Sequence, residues 1–303
     1  LTNLFTLFAN NILPIFLAAG TGYLLSRFLK VNPRTVSQVG FYIFTPCLVY
    51  KLLTTSQLSG SEVLRMTVFT IASTLVIGVL TWVFGRFFKL DRRLLVAVLL
   101  AAMFSNAGNY GLSLNLFAFG ETAVAHASVY FVISIVLTYT IGVVLASLGT
   151  SGLKEALLGM FKVPALYTAI LALLSNAFQW KLPLPVERSV FLLGDATIPT
   201  LLVLMGIQLE NSKWDGQLLP LGLANFMRLV VSPALALGIV LLLGLKGAAM
   251  QAAISEAGAP TAVFMTIVAT EYEVEPSFVT TAVITSTLFS PLTMTPLIAW
   301  LGA

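Results

Sequence analysis

The sequence predicts an all-α polytopic membrane protein: ten transmembrane helices as two inverted five-helix repeats, with helices 4 and 9 broken and crossing. Three observations carry this expectation. Of the 303 residues, 58% are hydrophobic and only 9% are charged, against roughly 25% charged in a soluble domain. The apolar segments reach the ~20 residues needed to cross about 30 Å of hydrocarbon. Two small-residue stretches, Asn106-Ala107-Gly108-Asn109-Tyr110 and Glu256-Ala257-Gly258-Ala259-Pro260, lie 150 positions apart, half the chain.

The spans are read in order. Span 1 covers 10–29 and holds Pro14; no charge precedes Arg27, so it reads as a true span rather than a cleaved leader. Span 2 (34–53) holds Pro46 and the single cysteine, Cys47, and span 3 covers 63–86. Span 4 (92–118) carries the first break, and span 5 (122–148) has the only histidine, His126, near its start. The longest connection, around 149–162, has room for a short surface helix. Span 6 (163–179) begins with Pro164, and span 7 (186–209) contains Asp195 and Pro199. Span 8 (217–244) contains Arg228, span 9 (247–270) carries the second break, and span 10 covers 277–301.

The repeat is visible in register. Pro14 pairs with Pro164 at the same offset of 150, and Pro46 with Pro199 at 153. A five-span unit must enter the membrane in the opposite sense from its copy, the inverted-repeat design of secondary transporters. The two repeats would be 1–150 and 151–303.

Orientation follows from Lys and Arg near span ends. Ten basic residues, including Arg27, Lys30, Lys89, Arg92, Lys154, Lys162 and Lys213, fall on one side. Five, Lys51, Arg65, Lys181, Arg188 and Lys246, fall on the other. The rich side reads as cytoplasmic, with both termini outside and the protein in the cell membrane. The net charge of +4 comes from span ends, not a basic face, so no nucleic-acid partner is expected.

The breaks point to a site. Glycine loosens a helix and asparagine competes for backbone hydrogen bonds; Pro260 lacks an N–H and clashes with the preceding turn. Open backbone at this depth is tolerated only when buried in protein or lining a wet cavity. Each outgoing half-helix offers free N–H groups that suit an anion, and each incoming one offers carbonyls that suit a cation. The expected substrate-binding residues are Asn106, Gly108, Asn109, Tyr110, Gly111, Gly258, Ala259, Pro260 and Thr261. Kinks that serve packing alone would give the same pattern.

Glu256, Asp195 and His126 are the ion-coupling candidates, because ionisable groups inside a membrane are expensive. Each also has a structural reading: Glu256 as a hydrogen-bonded packing residue, Asp195 as part of the helix interface near Pro199, His126 as an interfacial hydrogen-bonding residue. Arg228 reads as a partner for an acid or an attractor of anions. One cysteine and one histidine make no metal site, and no cofactor is expected. An intramembrane aspartyl enzyme needs two embedded aspartates, and only Asp195 qualifies. A zinc enzyme needs histidines that are absent, while inverted repeats occur in channels as well as in carriers.

The stretches SNAGNYGLSL and EAGAPTAVFMTIVATEYEVEP resemble the auxin efflux carrier family, within the wider group that includes sodium–bile acid symporters. So do residues 41–46 (FYIFTP) and the tail SFVTTAVITSTLFSPLTMTPLIAWL, so the resemblance covers nearly the whole chain. It implies a scaffold of spans 1, 2, 6 and 7 that forms a homodimer. It implies a mobile transport domain of spans 3–5 and 8–10, elevator movement, and an organic anion such as malate, malonate or an auxin-like aromatic acid. It places Asn106 at the family's carboxylate-binding asparagine and Pro260 in the ninth-span break. Plant members carry a proline in the fourth-span crossover, where this chain has Ser113, and a long loop after span 5. The short loop here resembles prokaryotic members. Sodium-coupled cousins, the alternative reading, place an acid about one turn before the ninth-span break, where this chain has Gln251 and Ala252.

Overall fold

The computed structural model describes residues 4–29, 31–55, 58–147, 164–210 and 217–303. Lys30, Lys154, Lys162, Lys213 and the connection around 149–162, with its expected surface helix, lie outside them. Seven helices among the described residues are long and apolar enough to cross a membrane. They are α1 (Leu4–Leu29), α2 (Pro33–Thr55), α3 (Gly60–Phe87), α6 (Glu121–Ser147), α8 (Leu184–Glu210), α9 (Leu218–Leu243) and α12 (Pro276–Trp300). A shorter helix, α7, covers Pro164–Phe178. Between these lie two pairs of short helices. The first is α4 (Arg92–Met103), then α5, a π turn at Ala107–Gly111 running into Leu112–Phe119. The second is α10 (Gly247–Gly258), then α11 (Phe264–Glu271). The described residues contain no strand, only one isolated antiparallel bridge between Ser105 and Thr261.

The sequence sets the helix starts. Asn32 accepts from the Arg34 N–H at 2.9 Å, with Pro33 in the first helical position of α2. Ser59 and Glu62 form a reciprocal capping box on α3, which satisfies two donors that the helix itself leaves open. Asp91 accepts from the N–H groups of Arg93 and Leu94 to start α4. Gly120 (φ +79°) makes the sharp turn from α5 into α6.

Large apolar side chains face outward on the long helices: Phe28, Phe87, Leu292 and, at 86% exposure, Leu242. Such a surface would be a liability in water and is what a lipid-facing wall requires.

Packing falls into two groups. In the first, α8 lies along α1, and α2 packs on α7 and α8. In the second, α3 packs on α4, α6 and α9, while α10 packs on α6 and α9, and α12 on α4 and α11. The α1–α8 contact is backbone against backbone. A Cβ on Gly22 would meet the Val203 carbonyl oxygen at 2.0 Å, and one on Gly206 would meet the Ala19 oxygen at 1.7 Å. Small residues permit this approach where lipid supplies no hydrophobic drive for helix association.

Gly206→Ala should therefore destabilise the protein by about 1–3 kcal/mol through overpacking. Gly20→Ala, in the same contact pair but with open space around it, should be close to neutral. Thermal unfolding in detergent reads the difference; equal stability of the two variants would mean that α1 and α8 do not meet this way.

Candidate functional site

The two short-helix pairs meet at their interruptions. The α4 helix ends at Met103, Phe104 is extended (φ −105°, ψ 109°), and α5 starts at Ala107. The α10 helix ends at Gly258, Ala259 is extended (φ −59°, ψ 150°), and α11 starts at Phe264. At about 18 Å, a 12-residue half-helix is too short to cross the bilayer alone. The linking segments meet antiparallel: the Asn106 N–H donates to the Pro260 oxygen at 2.7 Å, and the Ala262 N–H to the Phe104 oxygen at 2.8 Å.

The incoming helices end in carbonyls, and the protein caps them. Thr261 Oγ1 donates to the Ala101 oxygen at 2.8 Å. Arg228 Nη1 donates to the oxygens of Ala102 at 3.0 Å and Met103 at 3.3 Å. Arg228 Nη2 donates to the Ala257 oxygen and to Ser232 Oγ, the latter at 2.7 Å. Ser232 Oγ itself donates to the Ala257 oxygen at 2.8 Å. Arg228 lies in a π turn, Met227–Val231, whose wider loop sets it and Ser232 toward the same carbonyl.

The outgoing helices begin in N–H groups, and these stay open. Among the described residues, the amides of Gly108 and Asn109 on α5, and of Val263 and Phe264 on α11, donate no hydrogen bond. Both N-termini line one cavity of about 120 Å³. Asn106 also lines it, 4% exposed, with Nδ2 donating to Met205 Sδ at 3.6 Å. A thioether is a weak acceptor, so this amide is readily turned to a stronger one. Aromatic side chains line the cavity: Phe41 from α2, Phe131 and Tyr139 from α6, and Phe264. Gly108 admits Phe131, whose ring carbon would lie 2.7 Å from a Cβ there. No Lys, Arg, Asp or Glu side chain lines the cavity.

The structure separates the sequence-predicted site residues. Asn106, Gly108 and Asn109 line the cavity. Tyr110 is fully buried on the other side of its turn, where its oxygen accepts from Ser290 Oγ at 3.1 Å. Gly111 packs against Glu256, and Gly258 against Met294, Leu297 and Pro233. Ala259, Pro260 and Thr261 form the linking segment of the crossing. The sequence reading missed the wall residues of α2, α6 and α8; only their apolar periodicity marks them, and every span shares that signal.

The three coupling candidates occupy different places. Glu256 lies at the crossing, 0% exposed. Asn115 Nδ2 donates to its Oε1 at 3.2 Å, and Oε2 has no partner. Ser255 Oγ holds Asn115 from behind, donating to Oδ1 at 3.0 Å. Asp195 lies far from this group, paired with Lys51 at 2.5 Å and with its side chain 60% exposed. His126 is buried with Nε2 4.0 Å from Glu62 Oε1, near the start of α3. Arg228, read from the sequence as a partner for an acid or an attractor of anions, gives its Nη donors to carbonyls and a hydroxyl, while its Nε has no partner.

Residues 7–298 match the family described as membrane transport protein. The chain belongs to this family. An uncharacterized transporter of Methanocaldococcus jannaschii is 26% identical over 86% of this chain and 87% of its own length. A candidate malonate transporter of Rhizobium meliloti is 26% identical over 95% of this chain and 93% of its own. Auxin efflux carrier component 6 of Arabidopsis thaliana is 27% identical over 43% of this chain and 24% of its own. The membrane transport family and these relatives are transporters rather than enzymes, and the resemblance to auxin efflux carriers stands.

Within this family member, the Gly111–Glu256 contact is specific enough to test. A Cβ on Gly111 would meet Glu256 Oε2 at 2.1 Å. Gly111→Ala should destabilise the protein, and Glu256→Ala should relieve much of that loss by opening the space. A double-mutant cycle on unfolding should give a coupling of about 0.5–3 kcal/mol. Additive effects would show that the two residues do not touch.

Proposed function

We propose that the protein is a secondary carrier of an organic carboxylate, which binds in the cavity between the N-termini of α5 and α11. One observation carries this reading: the carbonyls of Ala101, Ala102, Met103 and Ala257 are capped by side chains from within, while four amide donors remain open on one cavity. Open donors at helix N-termini, with their positive partial charge, attract anions. The Asn106 amide adds a directional donor, and the aromatic walls suit the apolar body of an organic acid over a hydrated inorganic ion. Two facing N-termini also suit a short dicarboxylate, and the relatives named for malonate and auxin fall in these two chemical classes.

The ten-span inverted repeat is part of the same proposal. The pairs α4/α5 and α10/α11 each count as one broken span, and with α7 they bring the seven long helices to ten. The equivalence of the two breaks supports an inverted pair of repeats. The close packing of α1, α2, α7 and α8 on one another supports their reading as a scaffold, with the remainder as a body that moves past it. A homodimer through the scaffold, a cell-membrane location and outward termini belong to the reading as well. Of the coupling candidates only Glu256 adjoins the crossing, so it is the residue proposed to carry a proton.

The direct test is a screen of dicarboxylates and aromatic carboxylates by thermal stability, followed by counterflow of the labelled hit in proteoliposomes. A carrier exchanges substrate against its own gradient and a pore does not; no response to any carboxylate would sink the proposal. Asn106→Ala should weaken binding of the hit by ten- to a hundredfold, because a hydrogen bond to a charged group contributes about 1.5–3 kcal/mol. Unchanged affinity in a folded variant would remove Asn106 from the site. Glu256→Gln keeps shape and hydrogen bonding but not titration. It should lose accumulation driven by a pH gradient and keep exchange; full retention of both would place proton coupling elsewhere.

A further inference from the structure

Arg228 does not line the cavity. It is among the largest fully buried side chains of the protein, at 1% exposure. Four oxygens from three segments converge on its guanidinium: the carbonyls of Ala102 and Met103 at the end of α4, that of Ala257 at the end of α10, and the Ser232 hydroxyl. Carbonyls at helix C-termini carry negative partial charge, and three of them with a hydroxyl are an oxygen set of the kind that hard cations take. The Glu256 carboxylate sits in the same region without forming an ion pair to Arg228. Two broken helices therefore bring together a cation-binding arrangement, and the protein fills it with its own side chain.

We infer that Arg228 is a tethered cation that stands where these two helix ends would otherwise recruit a metal ion, so the crossing assembles and works without sodium. A neutral amide offers two donors on a single nitrogen, too few for four oxygens from three segments. The guanidinium offers five donors and a permanent charge on a planar fork, which answers several converging carbonyls at once. The consequence for transport, that sodium is not co-transported, rests on the carrier reading above. The cation test itself uses no substrate, so either idea can fail while the other stands.

The test compares thermal unfolding of the purified full chain in sodium chloride and in choline chloride, together with binding of radiolabelled sodium. The wild type should unfold at the same temperature in both salts and bind no sodium. Arg228→Ala should unfold several degrees lower in choline. Sodium, or guanidinium at millimolar concentration, should recover part of that shift by entering the vacated space. Arg228→Lys, which keeps a charge, should stay nearer the wild type than Arg228→Gln, which does not. Stabilisation of the wild type by sodium would overturn the inference. So would a folded Arg228→Ala that answers to no cation. If Arg228→Ala does not fold, the Lys and Gln variants decide, and equal behaviour of those two overturns the inference.

Discussion

A helix that stops inside a bilayer leaves backbone groups that water cannot reach, and each must find a partner within the protein or line a cavity. This chain stops two helices side by side, and the rest of the structure around the crossing follows from that constraint. The linking segments use two hydrogen bonds on each other, Asn106 to Pro260 and Ala262 to Phe104. The carbonyl ends then need donors, which come from Thr261, Ser232 and above all Arg228. What remains is a set of N–H groups on the cavity side. The polarity of the cavity is thus a remainder: the protein spends side-chain donors on the helix carbonyls and leaves backbone N–H groups facing the cavity.

The same constraint explains why α9 carries a π turn. Arg228 and Ser232 both have to reach Ala257, and an α-helical turn fixes their spacing more tightly. In the π turn the Ser232 N–H bonds back to Met227, one residue further than usual, which widens the helix at that point. Such bulges recur at functional sites for this kind of reason.

The sequence made the breaks legible because their signals are local. Gly108 and Asn109, or Gly258 and Pro260, disturb a helix by their own chemistry, and their position can be read without knowing any neighbour. Tyr110 shows the limit of that reading. It is adjacent in sequence to Asn109, yet one residue of helix rotates the side chain about 100°, and Tyr110 turns to Ser290 instead of the cavity. Arg228 shows the other limit. Its partners are more than a hundred positions away for Ala102 and Met103, so no spacing pattern announces them. An embedded arginine suggests an acid as its partner; backbone carbonyls carry no sequence signal. The aromatic walls were hidden for a third reason, since Phe41, Phe131 and Tyr139 lie in spans where apolar residues face lipid, core and cavity alike. Asp195 was legible as an unusual acid, but not its exposure beside Lys51.

Charge gives the last link between this architecture and transport. A carrier that binds an anion together with an equal charge of sodium moves a neutral load, because the ions cancel the substrate. Here the positive charge that faces the helix carbonyls is covalently fixed, and it is present in the empty and the loaded site alike. Binding an anion therefore changes the net charge of the site by the charge of that anion alone. An inside-negative membrane potential supplies about 2.3 kcal/mol per charge per 100 mV, and it acts to expel an anion from the cell. On the proposed carrier reading, a tethered arginine makes the membrane potential a sufficient drive for outward movement. On that reading, any uphill movement inward must bring a positive charge of another kind, and Glu256 is the group proposed to bring it as a proton.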